Sequence, residues 1–532
     1  MDPVWISVAF VFGFAMRQVG LPPLVGFLIA GFVLNAMGAQ GGLALDVIAE
    51  LGVTLLLFSI GLKLRIPTLL RPEVWAGASL HMLVTVLVFG AGIYGLSAAG
   101  ASLFAGLDAG PSLLIAFALS FSSTVFAVKV LEERGEMASL HGRVAIGILI
   151  MQDVIAVVFL ALSSGKAPSP WAFALLGLLV VRPLFMVLLD RSGHGELLVL
   201  CGLFLALVVG AAGFDLVGMK ADLGALCLGM LVANHPKAAE LAKSLLSFKD
   251  LLLVGFFLNI GLAGAPSLEA LGIATLLALV MAFKAVLFFV LLVRFKLRAR
   301  TSLLAALSLA NYSEFGLIVA ASAVAAGWIG SEWLVVIATA LSITFVLAAP
   351  LNSAAHSLYA RFHGRLEPFE VPARHLKDQP IDVAEAEIVI FGMGRVGTGA
   401  YEFMRQRYGD IVAAIDSDPE KVAWHREAGR NVMLGDAADA EFWHRIRASN
   451  KVRLVMLAMT NHVENMVVAA RLADSEYAGL VAATARFRDE IAALEQAGVH
   501  ATFNLFAEAG TGFAEHACDA LERRSTERSG VA

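Results

Sequence analysis

The chain has 532 residues, of which 59% are hydrophobic and only 16% charged, with a formal net charge of −5. It is too apolar to be one soluble globular protein and long enough for about two to four domains. No dense run of Lys and Arg gives an electrostatic footprint for nucleic acid, so none is expected as a partner.

The three cysteines, Cys201, Cys227 and Cys518, have no metal-ligand spacing, and the first two read as small core residues. The apolar residues concentrate between Val4 and about Ala355, and beyond Arg361 the composition becomes ordinary. A helix needs about 20 apolar residues to cross roughly 30 Å of hydrocarbon. That length predicts about thirteen spans, near 4–19, 22–37, 45–63, 74–98, 112–131, 143–163, 171–189, 196–213, 218–234, 247–264, 270–293, 301–326 and 333–355. The opening Met1-Asp2-Pro3 lacks a basic stretch and a cleavage site, so an uncleaved first span is expected.

Basic residues alternate between the joints. Arg17; Lys63, Arg65 and Arg71; Lys129, Arg134 and Arg143; Arg191; Lys237, Lys243 and Lys249; and Arg294, Lys296, Arg298 and Arg300 fall on one set. The other set carries almost none, with Lys166 and Lys220 as exceptions. Positive joints face the cytoplasm. An odd number of spans then puts the N-terminus outside and the C-terminal domain in the cytoplasm.

Two spans carry polar residues at mid-depth: Ser120 to Thr124 in the fifth and Asn311 to Gly316 in the twelfth. Irregular backbone survives in a membrane only where protein or a cavity covers it. The odd offset between these spans predicts inverted repeats with a matched pair of interrupted helices, the arrangement that marks a transporter's substrate site. The sixth span holds Gln152-Asp153 within an apolar run. Burial favours a protonated carboxyl and a bound cation favours an ionised one, so Asp153 can hold H⁺ or a monovalent cation in turn; the alternative is a structural partner of a backbone group or of a lysine. The Gln152 amide oxygen can add a neutral ligand, as can Ser122, Ser123, Thr124, Asn311 and Ser313. For the hydroxyls, back-bonding to the helix is the alternative. Glu314 reads equally as a pairing or a transporting acid. His81 and Asn259 read as satisfied core groups, Glu50 as interfacial, and Lys220 and Asp222 as a pair.

Residues 363–380 contain Pro368, Pro372 and Pro380 among charges and read as a linker. Then Glu387 to Phe391 form a strand running into Gly392-Met393-Gly394-Arg395-Val396-Gly397 and a helix. Gly392 permits the turn, Gly394 lets phosphate approach, Gly397 packs helix on strand, and the helix N-terminus attracts the anion. A second strand ends at Asp416, placed to accept ribose hydroxyls and repel a 2′-phosphate. Further strands are expected before Gly435-Asp436-Ala437, over 454–459 and over 480–485. Arg395 and Arg486 either reach a phosphate or are solvated. Alternating strands and helices predict a parallel doubly wound sheet. The expected organisation is a transmembrane domain over 1–356, a linker over 357–386, a Rossmann-type nucleotide-binding domain over 387–521 and a disordered tail over 522–532.

Several of these motifs together resemble the second monovalent cation–proton antiporter family, in its Kef-type branch. Gly20 to Gly26, Glu50 to Phe58 with Gly61-Leu62, Ser122-Ser123-Thr124, Glu133-Arg134-Gly135 and Gly142-Arg143 carry the likeness. So do Gln152-Asp153, the stretch His235 to Lys249 with Phe256-Phe257 and Gly261, and a tail similar to the family's potassium-transport nucleotide-binding domain. The resemblance implies a homodimeric potassium–proton antiporter of the bacterial inner membrane, with K⁺ bound at Asp153 and spans five and twelve crossing beside it; the single acid in play itself predicts one cation out for one proton in, with little net charge moved. It implies AMP or NAD(H) on Gly392, Gly394, Arg395, Val396, Gly397, Asp416, Asp436 and Ala437. It further implies a cytoplasmic regulatory loop including His235, Glu240 and Lys249, control by glutathione, and an ancillary regulatory subunit. The loop is less acidic here than in that branch. A sodium–proton exchanger of the same fold and a ligand-gated K⁺ channel remain as alternatives. A tethered oxidoreductase is disfavoured, because the tail has no Tyr-x-x-x-Lys pair.

Overall fold

The computed structural model describes residues 3–529 apart from 64–68, 135, 138, 164–174, 176, 220, 263, 373–374, 376–377, 379–380, 382, 384, 438–441, 444–445, 447–450, 460–461 and 475–476. Arg65, Lys166, Lys220 and Pro380 therefore lie outside the described residues. The chain divides into two compact units. The first is Met1–Val128, Val144–Phe295 and Ser302–Glu370; the second is Lys129–Arg143, Lys296–Thr301 and Val371–Ala532.

The first unit is helical. Its elements are α1 (Pro3–Gln18), α2 (Pro23–Ala36), α3 (Leu43–Lys63), α4 (Pro72–Ala98), α5 (Ala109–Ser120), α6 (Thr124–Glu133) and α7 (Leu140–Ser163). They continue with α8 (Gly177–Arg191), α9 (Glu196–Leu216), α10 (Ala221–Val232), α11 (Ala238–Leu262) and α12 (Leu268–Arg294). The last are α13 (Ala299–Ser308), α14 (Glu314–Ala325), α15 (Ser331–Ser353) and α16 (Ala355–Leu366). Among the described residues, 8 helical segments are long and apolar enough to cross a membrane, and Pro3–Gln18, Pro23–Ala36, Leu223–Val232 and Glu314–Ala325 are shorter apolar helices. Each of the expected apolar stretches holds helical residues.

Small residues set the helix spacing. A Cβ on Gly31 would lie 2.7 Å from the Gly261 Cα, and one on Gly61 would lie 2.9 Å from the Gly229 Cα. These pairs let α2 approach α11, and α3 approach α10, backbone to backbone, which is how helices associate where lipid removes the hydrophobic drive.

Two of the expectations change. The stretch from His235 to Lys249 is not a loop: α11 starts at Ala238, so Glu240 and Lys249 are helical and only His235 to Lys237 form the joint. The run Ala238 to Leu246 is rich in Ala, Leu, Lys and Glu, which favour helix, so the span extends backwards beyond its apolar part. The tail helix also runs on to Ser529, past the point at 522 where disorder is expected, because helix-favouring Glu and Arg continue its pattern.

The second unit is built on six parallel strands in the order β3-β2-β1-β4-β5-β6. They are β1 (Ile388–Phe391), β2 (Val412–Asp416), β3 (Val432–Leu434), β4 (Leu454–Leu457), β5 (Leu480–Ala485) and β6 (Ala501–Asn504). The helices between and after them are α17 (Arg395–Tyr408), α18 (Pro419–Glu427), α19 (His462–Asp474), α20 (Arg488–Gln496) and α21 (Leu505–Ser529). Alternate residues of β1 enter different cores. Val389 and Phe391 pack with Ala413, Ile415 and Leu457, whereas Ile388 and Ile390 pack with Tyr401, Ala414 and Val422. Both faces of the sheet are thus covered, which explains the continuous apolar strand sequence.

The segments Lys129–Arg143 and Lys296–Thr301 belong to this unit. Arg143 Nη1 donates to the Ser417 carbonyl at 2.6 Å. The Arg298 amide and the Thr301 hydroxyl donate to opposite oxygens of Asp378 at 2.6 and 2.9 Å. Burial pushes the Asp378 carboxyl up, against those donors.

Candidate ion-exchange and nucleotide sites

The first site lies where two helices are broken. After Ser120 the backbone of Phe121 to Ser123 leaves the helix, and α6 restarts at Thr124. After Ser308 a similar break ends at Ser313, which caps α14 by accepting the Phe315 amide at 3.1 Å. The breaks meet: the Ser123 amide donates to Asn311 Oδ1 at 2.6 Å, and the Ser123 hydroxyl donates to Glu314 Oε2 at 2.9 Å. Asn311 Nδ2 in turn donates to the Ser308 carbonyl at 3.0 Å. A Cβ on Gly316 would meet the Ala118 carbonyl oxygen at 2.2 Å, so only glycine permits this closeness of α14 and α5.

From α7, Gln152 and Asp153 reach the fifth-span break. Gln152 Oε1 accepts the Ser122 amide at 2.9 Å, so the oxygen expected to face a cation also holds the unwound backbone. Asp153 Oδ2 accepts the Thr124 hydroxyl at 3.2 Å. Asp153 is 1% exposed and Gln152, Ser123 and Asn311 are 0% exposed, so these polar groups are wholly enclosed. Ser122 Oγ has no hydrogen-bond partner among the described residues, which leaves a buried oxygen on the residue whose amide Gln152 holds. Ser313 and Glu314 stand at the start of α14, with Glu314 turned to Ser123.

Sequence reading missed Lys284. It stands in the middle of α12, is fully buried, and directs its ammonium at the carbonyls of Leu119, Phe121 and Asn311 at 3.1, 2.7 and 3.0 Å. Three donors meet three acceptors, at the carbonyl-rich ends where α5 and α13 stop. The cation offsets the negative ends of these helix dipoles, while Asp153 and Glu314 stand at the positive ends of α6 and α14. A lone lysine inside the run Leu279 to Phe289 was the available signal.

Two further expectations shift. His81 is not a satisfied core histidine: its ring stacks on Phe288 at 3.4 Å between centroids, and neither nitrogen has a hydrogen-bond partner among the described residues. Asn259 is half-buried and donates to Asp46 at 2.9 Å. In the expected regulatory stretch, His235 Nε2 lies 3.1 Å from Asp190, Glu240 lies 2.7 Å from His194, and Lys249 pairs with Asp250 at 3.0 Å.

The second site is a cleft of about 170 Å³ at the carboxyl ends of β1 and β2. Gly392, Gly394, Asp416, Asp436 and Ala437 line it. Gly392 has φ +89°, and a Cβ on Gly397 would stand 1.8 Å from the Gly392 carbonyl oxygen, which explains both glycines. Asp416 accepts the Met393 amide on one oxygen and the Asp418 amide on the other, each at 2.8 Å, which fixes the glycine turn against β2. Arg395 and Val396 are exposed on α17 and are not among the residues that line the cleft. Arg134, Glu136 and Ser139 from the α6–α7 joint line it as well, as do Lys421 and Glu464, none of them foreseen. Burial, with Asp436 and Asp416 nearby, pushes the Glu464 carboxyl up to about 7.

A helical unit with an enclosed carboxylate between crossed broken helices, carrying a parallel sheet in Rossmann order with a glycine-lined cleft, defines a polytopic transporter with a nucleotide-binding domain. The sodium/hydrogen exchanger transmembrane family matches residues 6–353, and the TrkA-N domain family matches residues 388–505. The chain belongs to the sodium/hydrogen exchanger family, in its Kef-type branch with a C-terminal TrkA-N domain. It is 30% identical over 522 residues to the glutathione-regulated potassium-efflux system protein KefC of Salmonella schwarzengrund, covering 93% of this chain and 80% of that protein. The KefC protein of Cronobacter sakazakii is 30% identical over 520 residues with the same coverage. Among solved structures, the sodium proton antiporter MjNhaP1 of Methanocaldococcus jannaschii is 17% identical, with TM-score 0.45 over 69% of this chain and 96% of that one. The TrkA-N domain of the Escherichia coli inner membrane protein ybaL is 23% identical, with TM-score 0.23 over 25% of this chain and 98% of that one.

Proposed function

We propose that the chain is a secondary antiporter that releases K⁺ in exchange for H⁺ and is controlled by a nucleotide on its C-terminal domain. The observation that carries this reading is the buried Asp153, held by Thr124 beside the break at Ser122-Ser123. One carboxylate shared in turn by a proton and a monovalent cation exchanges charge for charge, so transport is electroneutral. Ser122 Oγ, Thr124 and Gln152 add neutral oxygens around a dehydrated K⁺. Asn311, Ser313 and Glu314 hold the crossing, and Lys284 neutralises the carbonyl ends. The potassium assignment rests on the potassium efflux named for the relatives. The same oxygens would serve Na⁺, which is the second reading.

The membrane domain is assigned to 1–356, the linker to 357–386 and the regulatory domain to 387–521, with the N-terminus periplasmic and the regulatory domain cytoplasmic in a bacterial inner membrane. AMP or NAD(H) is the regulator that fits: Asp416 suits a ribose without 2′-phosphate, and the Gly392–Gly397 turn suits a phosphate. Glutathione control, with His235, Glu240 and Lys249 taking part, and an ancillary subunit come from the likeness to KefC. A homodimer is supported by the exposed rings of Phe503, Phe506 and Phe513 on β6 and α21, apolar surface that a second copy would cover.

Proteoliposomes holding the purified protein and a pH-sensitive dye test the reading. Addition of K⁺ should drive proton movement that Asp153→Asn abolishes. Retained exchange in that variant rejects the assigned role, and equal or greater exchange with Na⁺ favours the second reading.

A further inference from the structure

We propose that the joint between α6 and α7 forms part of the nucleotide site, with Arg134 the cationic contact for the ligand's 5′-phosphate. The proposal rests on the nucleotide reading above and adds a residue that lies outside the strand–glycine–helix motif, more than two hundred residues upstream of it in the chain.

The charge balance of the cleft motivates it. Glu136, Asp416, Asp418, Asp436 and Glu464 line it as acids, and among the described lining residues only Arg134 and Lys421 are cationic. Glu136 and Asp436 are paired with His141 and Arg300, and a phosphate entering beside the other carboxylates meets backbone amides and the N-terminus of α17, whose partial charges offset only part of the repulsion. Lys421 is exposed on α18, after Asp416, on the side expected for the ribose. Arg134 is 19% exposed in its side chain, has its Nη1 4.0 Å from Glu136 Oε2, and lines the same cleft as Gly392 and Gly394, so a phosphate there would share the guanidinium with Glu136. A planar guanidinium is the preferred partner of a phosphate's paired oxygens.

The joint is also a fixed platform. His141 Nε2 lies 3.0 Å from Glu136 Oε2, the Ser139 hydroxyl donates to the Glu136 carbonyl at 2.7 Å, and the Gly142 amide donates to Ser139 Oγ at 3.1 Å. Arg143 fastens it to the Ser417 carbonyl at 2.6 Å, directly after Asp416. A second such tie comes from the first turn of α13, where Arg300 Nη1 lies 3.4 Å from Asp436 Oδ2. The consequence is mechanical. The segment that would grip the phosphate is covalently continuous with α6, which begins at Thr124, and with α7, which carries Gln152 and Asp153. A ligand held by Arg134 thereby restrains the two helices that supply the exchange carboxylate and its hydroxyl partner.

The test is calorimetric titration of the full-length protein in detergent with AMP and with adenosine, which lacks the phosphate. Arg134→Gln should weaken AMP about tenfold or more while leaving adenosine unchanged, and Arg134→Lys should keep most of the preference for AMP. An unchanged preference in Arg134→Gln overturns the proposal. Equal weakening of AMP and adenosine in that variant overturns it too, since a disturbed fold then accounts for the loss. Gly394→Val separates the underlying reading: if it abolishes AMP binding while Arg134→Gln does not, the Rossmann cleft binds nucleotide without the joint. If the unaltered protein binds neither compound, the nucleotide reading fails as well.

Discussion

The Ser123 amide donates to the Asn311 side-chain oxygen at 2.6 Å, joining the break in one helix to the break in another 188 residues away. Neither break could stand alone in a membrane interior, because each exposes backbone groups with no intrahelical partner. Each break supplies a partner to the other, and Lys284 caps the carbonyls of Leu119, Phe121 and Asn311.

Asn311→Ala removes the acceptor and leaves the Ser123 amide buried without a partner. A cost of about 1–3 kcal/mol is expected for such a group. The midpoint of thermal unfolding in detergent should fall, with a parallel loss of K⁺-driven proton exchange. An unshifted midpoint would mean that another group takes the amide.

Lys284→Met keeps the length and apolar stem of the side chain and leaves three carbonyls uncapped. The loss should exceed that of Asn311→Ala, at roughly 3 kcal/mol or more, since breaking a buried charged network is costlier than losing one neutral bond. Thermal midpoints of the two variants, measured side by side, decide the order.

Thr124→Val is nearly isosteric and removes the 3.2 Å hydrogen bond to Asp153. If Asp153 is the exchange group, the hydroxyl stabilises its ionised form and its cation. The K⁺ concentration for half-maximal exchange should then rise several-fold, with the protein remaining folded. Unaltered K⁺ dependence would place the cation elsewhere.

Glu464 gives a pH dependence whose sign follows from its raised carboxyl, at about 7. The unfolded chain releases this proton near the ordinary Glu value, about 4.3, so between that value and about 7 the folded state holds more protons. Stability of the second unit therefore falls as pH rises through this window and levels off above it. Glu464→Gln should match the parent near pH 4.5 and exceed it at pH 8, in thermal unfolding midpoints across that range. With AMP as the proposed ligand, the ionised form also adds negative charge to the cleft, so the affinity of the parent should fall more steeply than that of the Gln variant as pH rises through about 7.

Much of this architecture is readable along the chain. Lipid forces long apolar helices, so length and hydropathy alone locate the stretches, and the polar clusters at Ser120 to Thr124 and Asn311 to Gly316 mark the breaks. The glycine spacing from Gly392 to Gly397 reports two steric facts, a left-handed turn and a helix pressed onto a carbonyl, that hold wherever the motif folds. Lys284 and His81 were harder. Each is one polar residue in an apolar run, and nothing local says what it faces. The stretch from His235 to Lys249 was misread as a loop because charge resembles a joint, although its composition favours helix.

The sequence by itself determined the division into an apolar helical part and a strand-helix part, the two polar breaks, the buried acid and the phosphate turn, because each depends on residues near one another in the chain. The tertiary structure alone decided that Asn311 serves Ser123, that Lys284 closes three carbonyls from two helices, that Gln152 holds the Ser122 amide, and that Arg134 stands at the nucleotide cleft. Those pairings satisfy buried groups across long separations. Any of several polar residues could have met each need by chemistry, and packing selects among them.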